Sequence, residues 1–401
     1  MTCAAVAVAA VLAGCTSGSA PSAASLSPSA VTRHPSAPAA PSRSPSAPTG
    51  PYGACVARVY GRLTLAQRVG ELFLVGVTSD IAGPQTTAAV STYHFGSLLL
   101  NPTAEGVTAL AAATAHMQSL AAANDGVRFF IAANQEGGEI QQLTGPGFAT
   151  MPSALTQGTW PAATLRSVAA GWGSELKAAG VNLNLAPVMD VVPAATASQN
   201  APVGALDREF GYTPAGNGAH GAAFIAGMGS AGVATAAKHF PGLGQVTGNT
   251  DFTADVVDTV TGPSSSDLGS FRAAVAAGVP FVMVAEATYT QIDASELAVF
   301  SPAVMRLLRS GSAPGLGFGG VIMSDDIGDA IAVQSIPVGT RAISFLTAGG
   351  DMITSQSLPP AETMAAAVLA KASSSASFRA VVDAGAQRIL AAKQAYGLLP
   401  C

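Results

Sequence analysis

Asn134-Gln135-Glu136, Asp190, Lys238-His239, Glu286 and Asp325-Asp326 stand out from the surrounding residues. Each group closes or interrupts a short apolar run, in a chain where only 10% of residues are charged. A carboxyl group can act as nucleophile when ionised or as proton donor when protonated, and a cation with a ring donor beside a carboxylate can orient both a substrate and that nucleophile. Other readings of the same residues stay open on type alone. Lys238 is also suited to a salt bridge inside the fold or to a Schiff base, and His239 to a core imidazole. Asp326 suits the capping of a following helix.

Such groups work only if distant segments hold them together. From about Gly53 onward, short β-type runs alternate with helical periodicity, the pattern of a parallel sheet covered by helices. Eight runs are found: Glu71 to Val77, Gly96 to Leu100, Arg128 to Asn134, Val181 to Asp190, Val233 to His239, Pro280 to Ala287, Gly320 to Asp326 and Gly350 to Thr354. Helix-like stretches lie between them, at Ala104 to Ala123, Leu165 to Ala179, Gly216 to Gly229, Ser266 to Ala277 and Pro302 to Ser310. Eight alternations predict an α/β fold, a single (β/α)8 TIM barrel, whose functional groups gather at the C-terminal ends of the strands. The runner-up is a doubly wound open sheet with a glycine-rich loop at Gly315 to Gly320. A dinucleotide loop follows a strand, whereas these glycines precede one.

The chain has 401 residues, with 18 Lys+Arg against 23 Asp+Glu and a net charge of −5. That balance lacks the positive excess a phosphate backbone demands, so no nucleic-acid partner is expected. The mean hydropathy of +0.40 concentrates in no run long enough to span a bilayer. The apolar run from Ala4 ends in Leu12-Ala13-Gly14-Cys15, which resembles a bacterial lipoprotein signal with Cys15 as the lipidated residue, although Met1-Thr2-Cys3 lacks the usual basic residues. The expected organisation is a signal at 1–15, a Ser/Pro/Ala-rich linker at 16–52 and the barrel at 53–401, exported and held to the outer face of the membrane by lipid alone. Cys55 and Cys401 stand at the two ends of the barrel segment and are expected to pair as a disulfide, two free thiols being the alternative.

Lys238-His239-Phe240-Pro241-Gly242-Leu243-Gly244 with Asn249-Thr250-Asp251, and Val321 to Asp326, resemble glycoside hydrolase family 3, in particular its single-domain bacterial β-N-acetylglucosaminidases. Gln135 to Gly138, Asn184 to Val191, Arg208 to Gly211 and Ala348 to Met352 follow in the family's order, so the resemblance covers about Leu63 to Lys393. It implies a retaining mechanism on a (β/α)8 barrel, with Asp325 as nucleophile and Lys238, His239 and Arg208 binding sugar hydroxyls or N-acetyl oxygens. For Arg208 the alternative is an ion pair with Asp207 or Glu209. Asn134 and Asp190 are further substrate-binding candidates, Asp190 having helix capping or buried pairing as its other reading. Glu136 reads as a buttress of the barrel mouth.

The chain also departs from the family pattern. Asn249-Thr250-Asp251 replaces an Asp-Ser-His triplet whose histidine is the acid/base, which makes Asp251 the candidate acid and leaves turn capping as its alternative. Leu243, Asn134, Glu139, Gln142 and Glu286 likewise replace histidine, aspartate, two arginines and histidine. Two outcomes follow: a monomeric hydrolase that removes terminal β-N-acetylglucosamine from cell-wall fragments, or a barrel that binds sugars or muropeptides without turnover. No cofactor or metal is expected, since His34, His94, His116 and His220 have no partners at ligand spacing. Trp160, Phe252 and Tyr289 are candidates for a sugar platform or for packing.

Overall fold

Strands covered on both faces must be apolar throughout, and this chain places such runs where a closed sheet needs them. In the computed structural model, which describes residues 52–77 and 81–401, eight of them form the staves of a barrel. They are β1 (Phe73–Val77), β2 (Ser97–Leu100), β3 (Phe130–Ala133), β4 (Leu183–Asn184), β5 (Ala234–Phe240), β6 (Phe281–Val284), β7 (Val321–Asp326) and β8 (Met352–Ser355). Neighbours pair in parallel in chain order, and β1 pairs with both β2 and β8 to close the barrel. All residues of β1, β5 and β6 are buried. The expected signal and linker, with His34, lie outside the described residues apart from Tyr52.

Several of the surrounding helices begin at side-chain caps that the sequence supplies. Helix Leu65–Gly70 starts in a capping box of Thr64 and Gln67. Helices Pro214–Ser230 and Pro302–Arg309 start with a Thr or Ser cap followed by proline. The second of these turns Val304, Met305, Leu307 and Leu308 into the core. No helix among the described residues is long and apolar enough to cross a membrane.

The fourth run is shorter than expected. Only Leu183–Asn184 joins the ladder, because Pro187 has no N–H to give and Val188 rejoins Lys238 as an isolated bridge. Beyond the strand ends, Gln135–Gly137 pairs with Ile140–Gln141, and Val257–Asp258, Thr288–Tyr289 and Asp293–Leu297 form a small three-stranded sheet.

At the N-terminal end of the barrel, helix Gly53–Tyr60 packs Val56 and Val59 with Val127 and Leu390 of the last helix, Ala376–Ala395. Cys55 and Cys401 are disulfide-bonded across 346 residues of chain. Closing so long a loop restricts the unfolded state by up to about 5 kcal/mol. Lys393 Nζ lies 2.6 Å from Glu71 Oε2 and donates to Gly96 O at 2.8 Å. Asp351 bonds both Arg309 and Arg388.

Candidate active site

Strict alternation in a strand sends adjacent side chains to opposite faces, yet Lys238 and His239 line one cavity, as do Asp325 and Asp326. Each pair sits in a bulge. Ala237 faces Val282 and Phe240 faces Val284, while Met323 faces Met352 and Asp326 faces Thr354, so β5 and β7 each carry one extra residue at the mouth. Bulges re-aim side chains in this way. The loop after β5 then folds back tightly: a side chain at Gly244 would meet Val191 O at 1.8 Å.

The cavity, about 230 Å³, opens at the C-terminal mouth and is lined by Asn134, Arg208, Lys238, His239, Asp251 and Asp325, with Gln142, Leu243 and Phe252. A cavity of about 840 Å³ between helices Pro84–Tyr93 and Leu358–Ser374 contains none of these. The chemistry belongs to the smaller one, because the ionisable residues converge there.

Glu136 organises the basic side. Its carboxylate takes Arg208 Nε and Nη2, both at 2.9 Å, and Lys238 Nζ at 2.6 Å. Burial works to raise this carboxyl, but the two cations outweigh it and hold it at about 2. Arg208 therefore pairs with Glu136 rather than with Asp207 or Glu209. Lys238 also donates to Asn134 Oδ1 at 2.7 Å, and Gln142 Oε1 accepts from Asn134 N at 3.2 Å. Lys238 is thus both a salt-bridge partner and a cavity-lining cation.

Asp190 corrects one expectation. It does not line the cavity: its fully buried carboxylate accepts from His239 N at 2.9 Å and Leu243 N at 3.1 Å, and lies 2.7 Å from His239 Nδ1. With its lone pairs committed, it positions His239 rather than touching a substrate.

On the acidic side, Asp325 is half-buried and accepts from Asp326 N at 3.0 Å. Asp326 Oδ1 takes Gly328 N, Asp329 N and Gln356 N, so it ties the turn after β7 to the end of β8 and does not cap a following helix. Burial chiefly pushes the Asp326 carboxyl up to about 7. In the loop after β5, Asn249 Oδ1 accepts from Asp251 N at 3.0 Å, so Asn249 caps the turn and the Asp251 carboxyl is left free of that duty. Burial, then the charge of Asp325, push the Asp251 carboxyl up against the pull of His239, Arg208 and Lys238.

Two buried carboxyls stand apart: Glu286, and Glu209, which the sequence offered as a mate for Arg208. Both oxygens of Glu286 and both of Glu209 lack a hydrogen-bond partner. Burial, then the charges of Asp325, Asp326 and Asp251, push Glu286 well above the ordinary carboxyl range. Burial chiefly pushes Glu209 up to about 7. Of the three aromatic candidates, Tyr289 is buried and donates to Gly242 O, Trp160 packs beside Trp172, and Phe252 stands exposed on the cavity rim. Among the described residues no three metal-ligating side chains cluster.

A closed parallel barrel whose mouth presents carboxyls of differing acidity around a lysine, an arginine and a histidine is the arrangement of a barrel glycosidase. The profile described as "Glycosyl hydrolase family 3 N terminal domain" matches residues 64–392. A "Beta-hexosaminidase" of Stenotrophomonas maltophilia is 35% identical over 236 residues, 56% of this chain and 65% of that protein. "Beta-hexosaminidase LpqI" of Mycobacterium tuberculosis is 30% identical over 307 residues, 74% of this chain and 75% of that one. The crystal structure of a "Beta-N-acetylhexosaminidase" from Beutenbergia cavernae superposes with a TM-score of 0.78 at 45% identity, covering 83% of this chain and 99% of that one. The chain belongs to glycosyl hydrolase family 3, a family of glycosidases.

Proposed function

We propose that this protein is a retaining glycosidase that removes terminal β-linked N-acetylglucosamine from peptidoglycan-derived fragments, acting as a monomer. The observation that carries the reading is that Asp325 and Asp251 line one cavity of about 230 Å³, with Asp251 pushed up by burial and by the charge of Asp325. The printed names of the relatives support an N-acetylhexosamine in it.

In the first step an Asp325 oxygen attacks C1 as the bond from C1 to the glycosidic oxygen breaks, and that oxygen takes the proton of Asp251. In the second step water attacks C1, its proton passes to the Asp251 carboxylate, and Asp325 leaves as a carboxylate. Lys238 and Arg208, held by Glu136, and His239, held by Asp190, orient the hydroxyl and N-acetyl oxygens of the sugar. Asn134 offers a neutral amide to a hydroxyl.

Chromatography of muropeptides incubated with the wild type and variants tests this. Asp325→Asn is expected to abolish turnover, by about 10⁴-fold or more, even with an activated aryl N-acetylglucosaminide. Asp251→Asn is expected to slow natural substrates by about 10²- to 10⁴-fold and the aryl substrate far less, because a good leaving group needs little protonation. Full activity in Asp325→Asn removes the assignment, and saturable binding without product by the wild type leaves a sugar-binding barrel instead.

We also infer that Cys15 carries the lipid and that residues 16–52 are a tether at the outer face of the membrane. The Leu12-Ala13-Gly14-Cys15 sequence and the Ser/Pro/Ala composition support this. Cys15→Ser is expected to move the protein out of the membrane fraction, and unchanged fractionation rules the anchor out.

A further inference from the structure

Phe252 is 78% exposed, the highest value among the five exposed large apolar side chains of the described residues. It is also part of the cavity lining. The ring is open to solvent, and the backbone that carries it is fixed. Phe252 N donates to Asn249 O at 3.0 Å, and the neighbouring Thr250 O and Asp251 O accept from Ala332 N and Ile331 N at 3.1 and 3.2 Å. The loop is therefore pinned to the segment after β7, whose Ile331 is itself exposed at the same edge. The ring directly follows Asp251, the residue that, on the function proposed above, protonates the departing oxygen. Whatever is attached to that oxygen leaves past Asp251 and reaches the rim. The two other aromatic candidates have no such freedom, since Tyr289 is buried and Trp160 is packed.

We propose that Phe252 is a specificity-determining residue, the platform on which the departing sugar of the substrate stacks. The electron-rich face of an aromatic ring attracts the weakly positive C–H face of a pyranose, and the contact needs no burial in the free enzyme. The platform therefore favours substrates whose leaving group is itself a sugar ring.

This rests on the hydrolytic reading, so the experiment pairs two substrates. One is an N-acetylglucosaminyl disaccharide, whose leaving group is a ring, and the other N-acetylglucosaminyl fluoride, whose leaving group is a single atom. Phe252→Ala is expected to lower kcat/KM for the disaccharide about five-fold and to change the fluoride by less than about two-fold, with Phe252→Trp restoring the disaccharide value. Retained fluoride turnover shows that the variant is folded. Equal loss on both substrates, or loss on neither, overturns the platform and leaves hydrolysis standing. A wild type inert on both overturns the hydrolytic reading, and the platform with it.

Discussion

The two ends of the barrel treat buried charge in opposite ways. At the N-terminal end Glu71 faces Lys393, and Asp351 faces Arg309 and Arg388. At the C-terminal mouth Glu136 pairs with Arg208 and Lys238 and Asp190 with His239, while Glu286 and Glu209 have no hydrogen-bond partner and Asp251 is pushed up by burial and by Asp325. Unpartnered buried carboxyls cost stability. Burial raises carboxyls at both ends, Glu71 and Asp351 included, so the comparison teaches that the ends differ in partnering: the foot pairs its carboxyls with cations, and the mouth leaves some without a partner, as barrels of this kind divide their labour.

Breaking a pair at each end tests the division. Lys393→Met strands Glu71 without a partner and is expected to lower stability by about 3–5 kcal/mol in denaturant titration, with kcat of the surviving native enzyme unchanged. Glu136→Gln frees Lys238 and Arg208 from their shared anchor and is expected to lower kcat about 100-fold through misplacement. It also carries an acid signature. Glu136 titrates at about 2 in the native state, below its ordinary 4.5, so its stabilisation is complete above 4.5 and is lost as pH falls towards 2. Wild type should show that loss and Glu136→Gln should not. A kcat defect in Lys393→Met would erase the distinction between the ends.

The smallest effect concerns Glu286. Its native carboxyl is raised, so the unfolded chain ionises first, and native stability falls as pH rises from the ordinary carboxyl value towards the raised one. Glu286→Gln removes that penalty, so the variant is expected to gain stability relative to wild type as pH rises from about 4 to neutral, on top of a pH-independent cost of burying an unpartnered amide. Melting curves at the two pH values measure it. A pH-independent change would mean the side chain is not a neutral acid in the native state.

The barrel was legible because parallel strands leave unbroken apolar runs, such as Phe73 to Val77 and Val321 to Met323, between helices. Run ends were less so: the reading of Val181 to Asp190 as one run passed over Pro187, whose missing N–H helps to end the ladder at Asn184. At the site, strand-end position exposed Asp325, Lys238 and His239. The Glu136 clasp was hidden, since Arg208 lies 72 residues from its partner and only closure of the barrel brings them together. Asp190 was open to substrate binding or to buried pairing, and only the closed barrel, which brings His239 and Leu243 to it, decides for pairing. Residue type marks a carboxylate as useful but does not say whether backbone N–H groups have already consumed it. Burial without a partner, as at Glu286 and Glu209, is a property of the packed interior alone.

The disulfide at the foot of the barrel makes the chain from Cys55 to Cys401 a covalent ring. A protease that nicks a mouth loop therefore produces no separable fragments until a reductant is added. Terminal helices that would ordinarily fray first are fastened to each other. Damage or remodelling at the catalytic rim can occur without the scaffold coming apart.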